Sequence, residues 1–344
     1  FAHFLQYGLK VTERAEYEFR AMDMGNVMHM ALEKFAAEVR KEGLDWAELT
    51  EEERNRIIDS CLDQVSADYG NTILKSSARN EYMIERTRRI LRRTVWALQE
   101  QLKHGAFRPE GFEVRFQGGR IDRVDIMEEP ENNRVYVKVI DYKTGNTSFD
   151  LLALYHGLQL QLMVYLDGAL QVEKRKYPDR EIVPAGVFYY NVKDPMIQEK
   201  IHADMESINE QMLKKMKMNG LVQADDNMST KIDSTMASIP VSLNRDGSFS
   251  KRSSVASRKQ FDVLGAYVRR KICDIRESIL DGNAAVEPYE LGKKNACTYC
   301  PYLTVCGFDR KIPGYEFHRL SSIGEEALWK KIMKGEEENG SEMD

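Results

Sequence analysis

No apolar run in this chain reaches the roughly 18 residues that a membrane-spanning helix needs, which excludes helical membrane insertion. There is no secretory signal, and the first residue is Phe1 rather than Met, which suggests a fragment of a longer protein. Neither sign of charge dominates. With 50 basic and 55 acidic side chains the formal net charge is -5, which excludes a uniformly basic nucleic-acid binder and leaves a local basic groove open. Cysteine is scarce. The five are Cys61, Cys273, Cys297, Cys300 and Cys306, and an odd count with three clustered argues against a disulfide framework. A reduced, cytosolic setting fits best. Cys61 and Cys273 lie in helical-looking segments and read as small core residues. No internal repeat is visible.

What is present suffices for a full core, with 42% hydrophobic and 31% charged residues. The first hundred or so residues read as helices. Met28, Leu32, Phe35 and Val39 form one stripe ending at Gly43; Ile84, Leu91, Val95, Leu98 and Leu102 form another. The texture then changes. "FEVRFQGGRIDRVDIM" and "NRVYVKVIDYKTG" alternate apolar and polar residues, with Gly118-Gly119 and Asn132-Asn133 as turn signals. A helix is expected from roughly Leu151 to Val172, then a buried strand at "VPAGVFYYNV". A charged helix from Met196 to Gly220, a Ser-rich insert to Lys259 with at most short strands around "IPVSL", and a further helix follow. The acidic end, "GEEENGSEMD", is expected to be disordered.

Residues two apart on a strand share a face. Asp141 and Lys143 therefore point the same way as Val135, Val137 and Val139. An apolar face that turns to Asp and Lys implies a strand whose end opens into a polar site, because isolated buried charge is costly. A β-hairpin would bring Asp122 near Asp141, and two close carboxylates repel unless a cation lies between them. Mg²⁺ takes oxygen ligands, and a neighbouring lysine can orient or help deprotonate an attacking water. Two carboxylates, a lysine and Mg²⁺ form a device for phosphodiester hydrolysis. The competing reading is a surface ion pair at a strand end.

"GRIDRVD", "VIDYKTG" and "QLQLMVYL", with "GNVMH" upstream, resemble the nuclease domain of the RecB family, within the PD-(D/E)xK superfamily. The resemblance implies that Asp122, Asp141 and His29 bind Mg²⁺, with the Tyr142 backbone carbonyl and a supporting Glu113. It makes Lys143 the catalytic lysine and Gln161 and Tyr165 a Q-x-x-x-Y pair on one helix face. Gln159 offers a competing registration of that pair, and His29 also fits an ordinary half-buried histidine. Asp125 is read as structural.

In "ERTRRILRR", Arg86, Arg89 and Arg93, with Arg88 and Arg92, make a cationic helix face. It suits DNA phosphates or, equally, a solvated face paired with acids. No sequence-reading module is visible. Cys297, Cys300 and Cys306, in "CTYCPYLTVC", resemble three of four thiolates of the [4Fe–4S] cluster in AddB-type members of the family. Zinc, completed by His3 or water, is the other reading. By the resemblance the fourth Cys falls two residues before Phe1, so the cluster is expected to be labile or missing in this chain.

The expected fold is α/β: a PD-(D/E)xK restriction-endonuclease-like core, a mixed central sheet flanked by helices, with an N-terminal helical portion. One nuclease domain is expected over 1–310: helical to 110, catalytic core 111–195, helices and insert 196–290, cysteine hook 291–310. A flexible tail at 311–344 would follow. The resemblance implies a bacterial, cytoplasmic, nucleoid-associated, Mg²⁺-dependent deoxyribonuclease, acting on single strands during double-strand break processing for recombination. Its partners would be DNA and an AddA-type subunit, with no membrane. The alternatives are a stand-alone CRISPR-adaptation-type iron–sulfur nuclease and an inactive iron–sulfur DNA-binding scaffold.

Overall fold

The computed structural model describes residues 1–12, 21–69, 77–197 and 204–340. The stretch 198–203 of the expected charged helix and the last residues of the tail, 341–344, lie outside them. The chain divides into two compact units. The larger comprises Tyr17–Phe149 and Gln161–Asp262; the smaller comprises Phe1–Glu16, Asp150–Leu160 and Val263–Asp344.

The larger unit begins with helices α1 (Ala21–Lys41), α2 (Glu51–Asp68) and α3 (Ala78–Lys103). The apolar stripes dictate their packing: Met28, Leu32, Phe35 and Val39 are buried, as are Leu91, Val95, Leu98 and Leu102. Helix α2 starts on a capping box in which Thr50 and Glu53 satisfy each other's backbone N–H. Cys61 is buried among these helices, as its segment implied.

Strands β1 (Arg108–Phe116), β2 (Gly119–Glu129), β3 (Arg134–Lys143), β4 (Glu181–Asn191), β5 (Asn219–Gln223) and β6 (Val255–Ala256) form one mixed sheet in that order. The β3–β4 and β5–β6 pairs are parallel and the others antiparallel. Helix α5 (Gln161–Lys176) crosses between β3 and β4 and packs on both, while α6 (Met205–Lys215) and α7 (Met228–Ile232) flank β5. The insert is thus more ordered than its polarity implied: it carries β6, continues from β5 and buries Ile239 and Val241. Such short apolar runs show no periodicity to read.

Behind the sheet lies a buried ionic cluster. Arg123 donates to both oxygens of Asp125, at 2.5 and 2.9 Å, and Lys138, across the β2–β3 ladder, lies 2.9 Å from the same carboxylate. The Arg123 guanidinium sits 5.3 Å over Trp46 and 5.7 Å over Phe112. Burial alone would raise the pKa of Asp125, but its two cationic partners hold it below the usual carboxylate range. Asp125→Ala strands two buried cations and is expected to cost about 3–5 kcal/mol of unfolding free energy, checked by urea denaturation.

The smaller unit contains α4 (Leu151–Tyr155), most of α8 (Arg258–Leu280) and a three-stranded sheet of β7 (Tyr289–Leu291), β8 (Lys294–Asn295) and β9 (His318–Arg319). It ends in α9 (Leu303–Cys306) and α10 (Glu325–Gly340). The helix expected to run unbroken from Leu151 is divided. Gly157 takes φ +78°, its N–H bonds Leu154 O and the Leu158 N–H bonds Ala153 O, a Schellman stop that needs a residue without Cβ. The tail is not wholly disordered either: α10 buries Leu328, Trp329 and Ile332, and these apolar residues precede the acidic stretch that suggested disorder. Cys273 is exposed, not a core residue, because α8 buries its Phe261, Leu264 and Val268 stripe and leaves its last turns open.

Candidate active site

The hairpin register brings the carboxylates together. Phe112 pairs with Arg123 and Val114 with Ile121, which sets Glu113 across from Asp122. Arg123 pairs with Ile140, so the next rung sets Asp122 across from Asp141. Three carboxylates therefore lie in a row over three adjacent strands, about 4.8 Å apart in backbone spacing. Glu113 has φ +50°, a left-handed conformation that costs a non-glycine residue energy and that clusters at functional sites.

His29 approaches from α1. Its Nδ1 lies 3.4 Å from Asp122 Oδ2, and its ring meets the Tyr142 ring edge-on, 6.1 Å between centroids. The glycine four residues earlier explains the close approach: a Cβ on Gly25 would stand 3.2 Å from Thr144 Oγ1, just past the end of β3. The Tyr142 N–H donates to Asp122 Oδ2 at 2.7 Å. Lys143 Nζ lies 2.6 Å from Asp141 Oδ2 and donates to Gln161 Oε1 at 2.8 Å. Gln161 Nε2 in turn donates to Tyr165 OH at 2.8 Å. Gln159, the competing registration, accepts from the Asp150 N–H and is not among the residues that line the cavity with Gln161 and Tyr165. Asp141 is 2% exposed, so its pair with Lys143 is not a surface ion pair.

These groups line one open cavity of about 700 Å³. Burial, then the Asp122 charge, raises Asp141 to about 6. Burial raises Asp122 to about 6 against the Tyr142 N–H and the Lys143 charge, and burial with the Asp122 charge raises Glu113 to about 7. Burial lowers His29 against the pull of Asp141, which favours the neutral imidazole that binds metal. Among the described residues, His29, Glu113 and Asp122 form the one set of three ligand atoms within 4.8 Å of one another. Crowded, desolvated carboxylates beside a neutral imidazole are the donor set a hard divalent cation relieves, so the residues fit Mg²⁺.

Six lining residues were not singled out from the sequence: Asn26, Met30, Glu33, Tyr69, Arg120 and Thr144. Arg120 is ion-paired with Glu113, and Glu33 joins Asn26, His29 and Met30 on one face of α1. The signal for the helical set was its i, i+3, i+4, i+7 spacing.

The arginine face of α3 is largely neutralised. Arg89 and Arg93 both bond Asp194, Arg88 bonds Asp63, and Arg92 bonds Asp59. The solvated, acid-paired reading is favoured for these four, while Arg86 is exposed. In the smaller unit Cys297, Cys300 and Cys306 line one cleft with Phe1, Ala2 and His3. Burial and the neighbouring Cys306 and Cys300 push the Cys297 thiol up.

Sequence comparison agrees with the geometry. The pattern of the PD-(D/E)XK nuclease superfamily matches residues 1–307. The B subunit of the ATP-dependent helicase/deoxyribonuclease of Lachnoclostridium phytofermentans is 41% identical over 98% of this chain and 31% of its own length. Proteins of the same name from Thermoanaerobacter sp. and Alkaliphilus metalliredigens are 34% and 35% identical, over 100% and 97% of this chain and 32% and 31% of theirs. The chain thus spans about a third of the length of these curated relatives. With its matching pattern and its row of carboxylates beside a lysine, the chain belongs to the PD-(D/E)XK nuclease superfamily.

Proposed function

We propose that this chain is the nuclease portion of a helicase–deoxyribonuclease B subunit, cutting single-stranded DNA during the processing of double-strand breaks for recombination. One observation carries the reading: Asp122, Asp141 and Lys143 converge at the open end of β3, with His29 and Glu113 completing the donor set. His29, Glu113, Asp122, Asp141 and the Tyr142 carbonyl would hold Mg²⁺. When bound, it would polarise the scissile phosphate and offset its charge.

The protein's own part is positioning. Lys143 has three N–H donors; one goes to Gln161 Oε1 while the ammonium is ion-paired with Asp141, and a remaining donor serves the attacking water or a phosphoryl oxygen. Lys143, which can only donate, fixes which way the Gln161 amide faces: it takes Oε1 and leaves Nε2 to donate to the Tyr165 hydroxyl. Gln161→Ala is expected to slow cleavage at saturating DNA by about 10–100-fold with metal affinity unchanged, a loss of orientation rather than of binding. Rapid-quench kinetics beside calorimetric metal titration check it.

In this reading Cys297, Cys300 and Cys306 supply thiolates to a [4Fe–4S] cluster, consistent with the cleft they share; iron and acid-labile sulfide in freshly purified protein test that assignment. An AddA-type helicase subunit is the expected partner. No helix among the described residues is long and apolar enough to cross a membrane, and a bacterial cytoplasmic location suits the free thiols.

The deciding assay incubates the chain with end-labelled single-stranded DNA and with blunt duplex, in Mg²⁺ and in chelator. Mg²⁺-dependent loss of the single strand is expected. Cleavage that persists in chelator, or that is confined to duplex, contradicts the reading.

A further inference from the structure

The larger unit has a second concavity, of about 670 Å³, whose lining includes Lys193, Lys214, Lys215, Lys217 and Arg252. Among the described residues no carboxylate lines it. Five cations gathered without an acid in the wall are costly unless an anion visits them. Two have weak internal partners: exposed Lys214 pairs with exposed Glu210 at 2.7 Å, and Lys215 donates to the Met196 carbonyl. Among the described residues, two acids close by are committed elsewhere. Asp194, next to Lys193 in sequence, bonds Arg89 and Arg93. Asp233, whose charge reaches Lys217, accepts from Thr235 and Ser238. Lys217 is half-buried, with buried Met216 and Met218 on either side of it in the chain.

The concavity is tied to the catalytic pocket through the backbone. Asn191, in its wall, pairs in register with Lys143. The Asn191 side chain accepts from the Thr147 N–H at 3.1 Å and donates to Thr147 O at 3.0 Å, and Asn219 accepts from the Phe149 N–H. The loop that follows Lys143 is therefore clamped at two points. Thr144 lines the catalytic pocket and Asn146 lines the basic one, and two residues span at most about 7 Å.

We propose that this basic concavity binds the phosphate backbone of a single-stranded polynucleotide and guides the strand past the catalytic pocket. The inference rests on reading that pocket as a DNA-cleaving centre, but it fails or stands on a separate measurement. Affinity of the chain for a fluorescent oligothymidine is read by anisotropy across a salt series, in chelator so that nothing is cut. Replacing Lys193, Lys217 and Arg252 together by glutamine is expected to weaken binding at least tenfold. The same change should flatten the slope of log affinity against log salt by about 2, since each lost single-strand phosphate contact removes about 0.7. A companion carrying Lys193→Arg, Lys217→Arg and Arg252→Lys keeps the charges and is expected to bind like wild type, which separates lost charge from a damaged fold. Glutamine variants that bind with unchanged affinity and slope overturn the proposal even if the wild type cleaves in Mg²⁺. Conversely, a wild type that binds as expected but does not cleave overturns the catalytic reading and leaves the binding site standing.

Discussion

Lys143→Ala is expected to lower the single-turnover rate of DNA cleavage by about 10³-fold, with DNA affinity within about twofold of wild type. The size follows from two losses at one atom. The ammonium that meets the attacking water or phosphoryl oxygen disappears, and groups in that role contribute typically 10²–10⁴-fold. Asp141 also loses its partner at 2.6 Å while it remains 2% exposed, so the carboxylate takes up a proton more readily and becomes a poorer ligand. Lys143→Arg is not expected to rescue. The planar guanidinium cannot replace an ammonium that meets Asp141 and Gln161 beneath the Tyr189 ring, 5.5 Å away. Single-turnover quench measurements isolate this step from product release, and a variant within tenfold of wild type would remove Lys143 from the chemistry.

The second large effect concerns stability. Asp122→Asn is expected to raise the melting temperature of the metal-free protein at pH 8 by roughly 5–10 °C, while abolishing stabilisation by Mg²⁺. Asp122 is held at about 6 rather than 3.8, which costs the ionised folded state about 3 kcal/mol. A carboxyl raised on folding gives stability that is fully present below its unfolded pKa and is lost as pH rises through the folded value. Asp141, at about 6, and Glu113, at about 7, act in the same direction. Metal-free wild type should therefore melt higher at pH 5 than at pH 8, and Asp122→Asn should flatten that difference. Asp125 and Asp233 are held low and lose their contribution only in more acidic solution. Asparagine keeps an oxygen for the Tyr142 N–H, so the substitution removes charge without removing the acceptor. Mg²⁺ stabilises the folded state by mass action when the donors are intact. Scanning calorimetry at the two pH values, with chelator and with Mg²⁺, reads all of this.

These expectations rest on features of different legibility. The face Val135–Val137–Val139–Asp141–Lys143 could be read from alternation, because the side-chain period of a strand is two; that Tyr136, Ile140 and Tyr142 bury the other face of β3 as well needed the packed helices to show it. The turn signals beside it made the pairing of Asp122 with Asp141 readable too. Glu113 joined the row through resemblance alone; its left-handed backbone leaves no mark in composition. The fate of the arginine face was not readable, since its partners Asp59, Asp63 and Asp194 come from other elements and only tertiary packing brings them near. Gly157 divides a helix that is otherwise continuous in pattern, and one glycine in an apolar run gives little warning. The two short strands that complete the sheet are too brief for any period to register.

Asp141 belongs to every part of the account: it lies in the carboxylate row, it is paired with the lysine and it is nearly inaccessible. The most direct test is cleavage of end-labelled single-stranded DNA in Mg²⁺ by the wild-type chain beside Asp141→Ala. The account predicts cleavage by the wild type and a rate at least about 10³-fold lower for the variant. Equal rates, or an Asp141→Ala variant that still responds to Mg²⁺ as the wild type does, would contradict it.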